Sequence, residues 1–145
     1  MKITESQVRK LTLTDIDSLD PVSVFLEDFG VGQGRVTIEC FGDAWSYYWG
    51  AMGDSNLIEF LKDANADYIS NKLFNGQKRV VDYDKIATDI NEEWVDEMTL
   101  QDHEAKLVEY YGEDWMFDLP SSLNHHYEYV VMIVNAVKEA LGKIK

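Results

Sequence analysis

The sequence is poor in cysteine and proline, with one cysteine and two prolines, and it lacks any apolar run long enough to cross a bilayer. A single cysteine excludes an intramolecular disulfide, and the strand-like surroundings of Cys40 predict a buried thiol in a reducing compartment. A catalytic thiolate is the alternative interpretation. The amino terminus lacks the apolar core of a signal peptide, and the longest apolar run, VVMIV, is much too short to span a membrane. We therefore expect a soluble, cytoplasmic protein.

Basic residues are also scarce, with 13 Lys and Arg against 27 Asp and Glu, so the net charge is −14. This charge repels phosphate backbones and anionic membranes, which argues against direct binding of nucleic acid or lipid. The acidity is concentrated: the segment 82–118 contains thirteen acidic and two basic residues, a net charge of −11. One region therefore produces most of the electric field.

Length and hydrophobic patterning predict a single α+β domain over residues 1–145, with a β-meander over 1–53 and a helical part over 54–145. Alternating apolar residues predict three strands at 10–16, 22–29 and 35–41, and a fourth follows in AWSYYW. We expect an antiparallel sheet of about four strands with four or five helices packed on one face. The glycines of GVGQG join two strands and precede no helix, so they predict a hairpin loop and not a nucleotide site.

A two-residue turn at Gly42 and Asp43 would fix the register of the third and fourth strands. The predicted pairs are Cys40 with Trp45, Ile38 with Tyr47, and Val36 with Trp49. This register places the apolar side chains of both strands on the face that the helices cover. Tyr48 then lies on the other face, and it is the aromatic residue of this stretch that we predict to contact a partner.

Helical periodicity appears after residue 53. Residues 54–74 are predicted to form either one broken helix or two short ones, with Asp54 or Ser55 as the first cap. A longer helix over 82–98 has an inward stripe that includes Trp94. Thr99 is the predicted cap of a further helix that ends at Gly112, and the last helix is predicted from about Ser122 to Leu141.

The helix predicted over 82–98 would display five carboxylates on its outer face: Asp89, Glu92, Glu93, Asp96 and Glu97. Glu113 and Asp114 extend the acidic run beyond it. A solvated surface is one interpretation. The other is a partner-binding surface, because carboxylates interspersed with the aromatic residues Trp94, Tyr110 and Trp115 can dock onto a basic groove of another protein.

His125 and His126, with Asp118 nearby in sequence, are weak candidates for metal ligands. Neighbouring residues of a helix point about 100° apart, so this pair does not readily share one ion, and no HExxH spacing is present. The alternative interpretation is a satisfied histidine pair in the first turn of the last helix. The sequence implies no cofactor.

Three stretches, DPVSVFLEDF, GRVTIECFG and AWSYYWGAMG within residues 19–53, resemble a group of uncharacterised small proteins encoded in tailed phages and prophages of enteric and related bacteria. The resemblance implies a genomic setting and no activity, so it transfers no catalytic residue. Phages encode many small acidic proteins that block host enzymes, sometimes by presenting a negative surface in place of DNA. The charge distribution of this sequence fits that class.

The leading hypothesis is therefore a non-enzymatic accessory protein that binds a host or phage protein, with a basic surface, through the acidic segment 82–118. A small metal-dependent enzyme that uses His125, His126 and nearby carboxylates is the second hypothesis. The third is a homo-oligomer that buries a sheet face against a second copy of the chain. That face carries Phe25, Phe29, Phe41 and Tyr48.

Overall fold

The computed structural model describes residues 1–144 and confirms the α+β class, with a four-stranded antiparallel sheet followed by five helices. The elements in chain order are β1 (Arg9–Leu13), β2 (Val22–Gly30), β3 (Gln33–Cys40), β4 (Asp43–Trp49), α1 (Leu57–Asp63), α2 (Ala66–Leu73), β5 (Arg79–Val81), α3 (Tyr83–Asp89), α4 (Glu104–Tyr111), β6 (Ser121–Leu123) and α5 (His125–Lys143). Single 3₁₀ turns occur at Leu100–His103 and Trp115–Phe117.

The chain forms two compact units. The first, here called the sheet unit, comprises Met1–Gly76 and the residues from His126 onward, and the second, here called the acidic unit, comprises Gln77–His125. The acidic unit is thus inserted in the sequence between α2 and α5. That the whole chain behaves as one domain stays a prediction.

The four strands of the sheet unit follow one another in the order β1-β2-β3-β4, and every pair is antiparallel. Alternate residues of β2 and β3 are buried, as the sequence pattern predicted, and they include Val24 and Ile38. Helices α1, α2 and α5 supply the remainder of this core through residues such as Leu57, Leu73 and Ile133. The apolar face of the sheet is therefore covered by three of the five helices.

The predicted register of β3 and β4 was wrong by two residues. Ile38 pairs with Trp45 and not with Tyr47, and the two central residues of the turn are Phe41 and Gly42, both with positive φ. Positive φ at both positions is the type I′ geometry, which matches the twist of the strands. Because side chains alternate with a period of two, a shift of two leaves every side chain on its predicted face. Trp49 is accordingly buried.

Helix α1 begins after Asn56, and not after Asp54 or Ser55 as predicted. The Asn56 side chain accepts a hydrogen bond from the Glu59 amide at 2.9 Å, and the Glu59 carboxylate accepts one from the Asn56 amide at 3.4 Å. This reciprocal capping box satisfies two amides that no helical carbonyl can reach. The carboxylate of Asp28 in β2 accepts a hydrogen bond from the Leu57 amide at 3.1 Å, so the helix start is also tied to the sheet.

The prediction of one helix over 82–98 was wrong, because α3 ends at Asp89. Asn91 has a φ of +56°, and the Glu92 amide returns to the Ala87 carbonyl at 2.8 Å. A left-handed residue just beyond the last turn stops a helix in this way. The chain then continues irregularly, so Trp94 is 60% exposed and Val95 is buried instead.

Two further helix starts differ from the predictions. Thr99 does not cap a helix: its hydroxyl accepts a hydrogen bond from the Asp96 amide at 3.0 Å, and α4 starts only at Glu104. Helix α4 ends where predicted, at Gly112, and the φ of this glycine is +96°. The last helix starts at His125 and not near Ser122, because Ser121–Leu123 forms β6 and pairs with β5. This two-stranded sheet was not predicted.

The acidic unit has a small core of its own. It consists of the buried residues Ile86, Ala87, Ile90, Val95, Leu107 and Trp115. Trp115 was predicted to belong to the exposed surface, but only 4% of it is accessible, because its 3₁₀ turn directs the indole into this core. Within residues 1–144, no helix has both the length and the apolar composition that spanning a bilayer requires.

Candidate partner-binding surface

The acidic candidates do not share one helical face, since only Asp89 belongs to α3. Glu92, Glu93, Asp96 and Glu97 lie in the irregular segment 90–99, and Glu113 and Asp114 follow α4. The structure divides them into two groups. Asp89 and Glu92 are tied to other side chains of the acidic unit, whereas the other five are exposed.

Asp89 connects two helices of the acidic unit. Its carboxylate accepts a hydrogen bond from the Tyr111 hydroxyl at 2.6 Å and one from the Lys85 ammonium at 3.1 Å. The hydrogen bond from Tyr111, supported by Lys85, lowers the pKa of Asp89 below its ordinary value. Burial and the same hydrogen bond raise the pKa of Tyr111. Asp89 therefore holds α3 to the end of α4, and this internal role leaves little of the carboxylate for a partner.

Glu92 forms a second internal tie. Its carboxylate accepts a hydrogen bond from the Lys106 ammonium in α4, and the His103 ring nitrogen Nδ1 lies 3.6 Å from the same oxygen. The contact with Lys106 lowers the pKa of Glu92. Both basic residues between positions 82 and 118, Lys85 and Lys106, are thus engaged by carboxylates of the unit itself.

The remaining carboxylates point to solvent. Glu93, Asp96, Glu97, Glu113 and Asp114 are all exposed. Asp96 also has a local role, because its side chain accepts a hydrogen bond from the Thr99 amide at 2.8 Å. Burial, and then the negative charges of Glu97 and Asp96, raise the pKa of Tyr83. The segment 93–97 therefore presents uncompensated negative charge at the surface.

Large apolar side chains are exposed in the same unit. The most accessible are Trp94 (60%), Met98 (90%), Tyr110 (55%), Met116 (61%) and Phe117 (84%). Trp94 and Tyr110 were predicted to lie on this surface, whereas Met98, Met116 and Phe117 were not. Acidic residues flank the run WMF on both sides, and this flanking was the available signal. Methionine and aromatic side chains are common at protein interfaces.

A surface cavity of about 270 Å³ brings the two features together. Its walls are formed by Glu92, Glu93, Trp94, Thr99, Asp102 and His103. An exposed indole beside several carboxylates suits a cationic side chain, because the ring face and the negative charges both attract a cation. The cavity therefore combines an aromatic side chain with several carboxylates.

Tyr48 lies on the outer face of the sheet, as predicted, and is 46% exposed. Its ring centroid is 5.9 Å from that of Phe29, and the Arg35 guanidinium stacks over the Phe29 ring at 5.2 Å. Ser46 and Thr37 share a hydrogen bond of 2.9 Å on the same face. The face is thus a mixture of aromatic and polar groups. That Tyr48 contacts a partner, or that this face buries a second copy of the chain, stays a prediction.

The weak metal candidates lie in two separate parts of the chain. His125 and His126 are exposed at the start of α5, and Asp118 is exposed after the second 3₁₀ turn. In the part of the chain that the structure describes, no three His, Cys, Asp or Glu side chains are grouped so that they could hold a metal ion. Cys40 is fully buried, and its thiol accepts a hydrogen bond from the Tyr129 hydroxyl at 3.2 Å.

A family model named Phage_phiTE_072 and described as a phage family matches residues 1–143. No curated protein and no solved structure is similar enough to match the chain.

Proposed function

We propose that the chain, which belongs to the phage family Phage_phiTE_072, is a non-enzymatic accessory protein. It binds a host or phage protein inside the bacterial cell. The binding surface in this proposal is the exposed part of the acidic unit, here called the acidic surface. It comprises Glu93, Trp94, Asp96, Glu97, Met98, Glu113, Asp114, Met116 and Phe117.

The observation that carries the proposal is the exposure of large apolar side chains among uncompensated carboxylates. Met98 and Phe117 are 90% and 84% exposed, and a partner that covered them would lower the free energy by removing their apolar surface from water. The unit that bears them has thirteen acidic and four basic residues, a net charge of −9. A partner with a basic rim around an apolar centre would match both properties.

The finer form of the proposal is an inhibitor whose acidic surface takes the place of DNA on a nucleic-acid-binding enzyme. The clustering of negative charge supports it, because a phosphate-binding groove is basic and attracts such a surface. In this form the protein and duplex DNA occupy the same groove and exclude one another.

The test is an affinity capture from host lysate with the wild-type chain and a variant carrying Glu93→Lys, Glu97→Lys, Glu113→Lys and Asp114→Lys. A control variant carries the same change of charge in the sheet unit, at the exposed residues Glu5, Asp17, Asp54 and Asp63. We expect the wild type and the control to capture the same basic protein, identified by mass spectrometry, and the first variant to lose it.

The captured protein is then purified and titrated directly. Its affinity should fall with rising salt, and labelled duplex DNA should compete if the inhibitor form is correct. Equal capture by all three chains would exclude the acidic surface as the binding site. Simultaneous binding of DNA and the chain to the partner would exclude the inhibitor form and leave the binding proposal intact.

A further inference from the structure

The turn between β3 and β4 holds Phe41 in a backbone conformation that bulky residues rarely adopt. The φ of Phe41 is +50° and that of Gly42 is +84°. At the first of these positions Asn, Asp and Gly are the favoured residues, because left-handed backbone brings a Cβ atom close to a carbonyl oxygen. The turn would therefore be less strained with Asn than with Phe at position 41.

The ring of Phe41 does not compensate for this strain by packing. It is 80% exposed, and Phe41 belongs to neither hydrophobic core nor to the residues packed against one. A singly exposed apolar residue is ordinary at a protein surface. An exposed ring on a strained backbone is different, because neither property helps the chain to fold, and strain of this kind concentrates at functional positions.

The turn is also held firmly. Cys40 and Asp43 pair across its base, and the Glu39 carboxylate accepts a hydrogen bond from the Gly42 amide at 3.0 Å. A ring presented by a closed turn loses little conformational entropy when it enters a pocket. Glu39 and Asp43 flank Phe41. Their negative charges repel an anionic bilayer and favour a pocket whose rim is cationic.

We infer that Phe41 is a preformed anchor that inserts into an apolar pocket, rimmed by cationic side chains, on a partner protein. Buried aromatic anchors of this kind supply a large share of the binding energy in many interfaces. The inference goes beyond the proposed function, because Phe41 lies in the sheet unit and the acidic surface does not include it.

The first arm of the test measures the melting temperature of Phe41→Asn. Relief of the strain should raise it by about 2–4 °C. Val31→Asn is the matched control, because Val31 is also 80% exposed, lies in the turn between β2 and β3, and has no positive φ. We expect no such rise for the control. A lower melting temperature for Phe41→Asn would overturn the inference, since Phe41 would then be a stabilising residue.

The second arm identifies the occupant by placing the photoreactive residue p-benzoylphenylalanine at position 41 in bacteria that carry the encoding phage. The crosslinked protein is purified and titrated with the wild type, Phe41→Asn, Phe41→Leu and Val31→Asn. We expect Phe41→Asn to weaken binding about tenfold or more, and Phe41→Leu and Val31→Asn to retain most of the affinity.

Three results of the second arm would overturn the inference. One is the absence of any crosslinked partner protein, and another is equal affinity of the wild type and Phe41→Asn for the protein that was crosslinked. The third is a different occupant: a crosslink to a second copy of the chain, or binding to phosphatidylglycerol vesicles that Phe41→Asn abolishes.

Discussion

The core of the sheet unit contains seventeen buried residues, whereas that of the acidic unit contains six. The acidic unit carries more negative charge, with a net charge of −9 against −5 for the sheet unit, although it is the shorter of the two. Apolar burial is the main favourable term in folding, and like charges oppose it. The sheet unit therefore has the larger stabilising core, and the acidic unit combines a smaller core with more repulsion between like charges.

Hydrogen bonds and ion pairs between side chains are more important in the acidic unit than in the sheet unit. In the acidic unit the bonds from Tyr111 and Lys85 to Asp89, and the contact of Glu92 with Lys106, join α4 to the segment 83–92. Arg79 also donates to the Ser121 carbonyl at 2.8 Å across the two-stranded sheet. A unit with a small core and exposed hydrogen bonds unfolds locally more easily than a unit with a large core. We therefore expect the acidic unit to have the lower local stability.

The largest effect is expected from Leu107→Ala in the core of the acidic unit. Leu107 is fully buried, so its truncation should cost about 2–5 kcal/mol through lost burial and a cavity. Because the unit has only six buried core residues, this loss should unfold it while the sheet unit stays folded. Hydrogen exchange should show loss of amide protection in 77–125 and retained protection in β2 and β3.

Ile38→Ala is the matched control for that experiment, since Ile38 is buried in the core of the sheet unit. It should lower protection in β2, β3 and α5 together, because these elements share one core. Equal loss of protection throughout the chain for both variants would mean that the two units unfold as one, and the contrast between them would have no thermodynamic counterpart.

A second prediction concerns Lys138, which forms polar contacts within the sheet unit. Its ammonium group donates to the Leu61 carbonyl at 2.9 Å and the Lys62 carbonyl at 2.8 Å, and also to the Ala64 carbonyl. These carbonyls end α1 and have no helical partner. Lys138→Met should therefore lower the free energy of unfolding of this unit by about 1–3 kcal/mol in chemical denaturation.

Lys143→Met is the control for Lys138→Met, because Lys143 lies on the same helix and forms its ion pair with the exposed Glu139. Its unfolding free energy should stay close to that of the wild type, as is usual for exposed pairs. If both variants were equally stable, the contacts of Lys138 with α1 would contribute nothing and the sheet unit would rely on its core alone.

The sheet could be predicted from the sequence because its signals are local. Alternating residues defined β2 and β3, and a register error of two residues did not change which face Trp45 and Trp49 occupy. Tyr48 was placed on the outer face for the same reason. The turn itself was misplaced because Phe41 adopts a conformation that its residue type disfavours, so no propensity rule could indicate it.

The acidic unit was harder to predict because tertiary contacts override its helical pattern. Trp94 continues the apolar spacing of Ile86 and Ile90, yet Asn91 ends the helix and Val95 enters the core. Tyr111, the partner of Asp89 that joins α3 to α4, is 22 residues away in the sequence, so nothing local indicated this link between the two helices. Which carboxylates are exposed and which bind other side chains of the unit therefore depends on the fold and not on the local sequence.

A third prediction tests the tie between Tyr111 and Asp89. Tyr111→Phe removes the strongest influence on the lowered pKa of Asp89, so this pKa should rise towards the ordinary value of about 3.9 in an NMR titration. Since the folded-state pKa of Asp89 is lowered, its contribution to stability is complete above the ordinary pKa and is lost as the pH falls through the lowered one. Tyr111→Phe should therefore destabilise the unit fully above the ordinary pKa, and this destabilisation should disappear as the pH falls through the lowered pKa.

Tyr110→Phe provides the comparison for this titration, because Tyr110 influences the pKa of Asp89 less than Tyr111 does. It should shift the pKa of Asp89 less than Tyr111→Phe does. An unchanged pKa of Asp89 in Tyr111→Phe would show that the hydrogen bond from Tyr111 does not govern this carboxylate, and the acidic unit would then be held by its core and not by this tie.

The smallest expected effect is the response of the two units to salt. Raising NaCl from about 0.01 M to about 1 M shortens the screening length from about 30 Å to about 3 Å, which weakens repulsion and attraction between exposed charges alike. The acidic unit has thirteen acidic and four basic residues, so repulsion is the larger of the two effects, and salt should raise amide protection there slightly.

The sheet unit, which is nearer to neutrality, is the internal control and should change less. If protection in the acidic unit fell with salt instead, the ion pairs of Lys85 and Lys106 would outweigh the repulsion, and its carboxylates would serve mainly to hold the unit together.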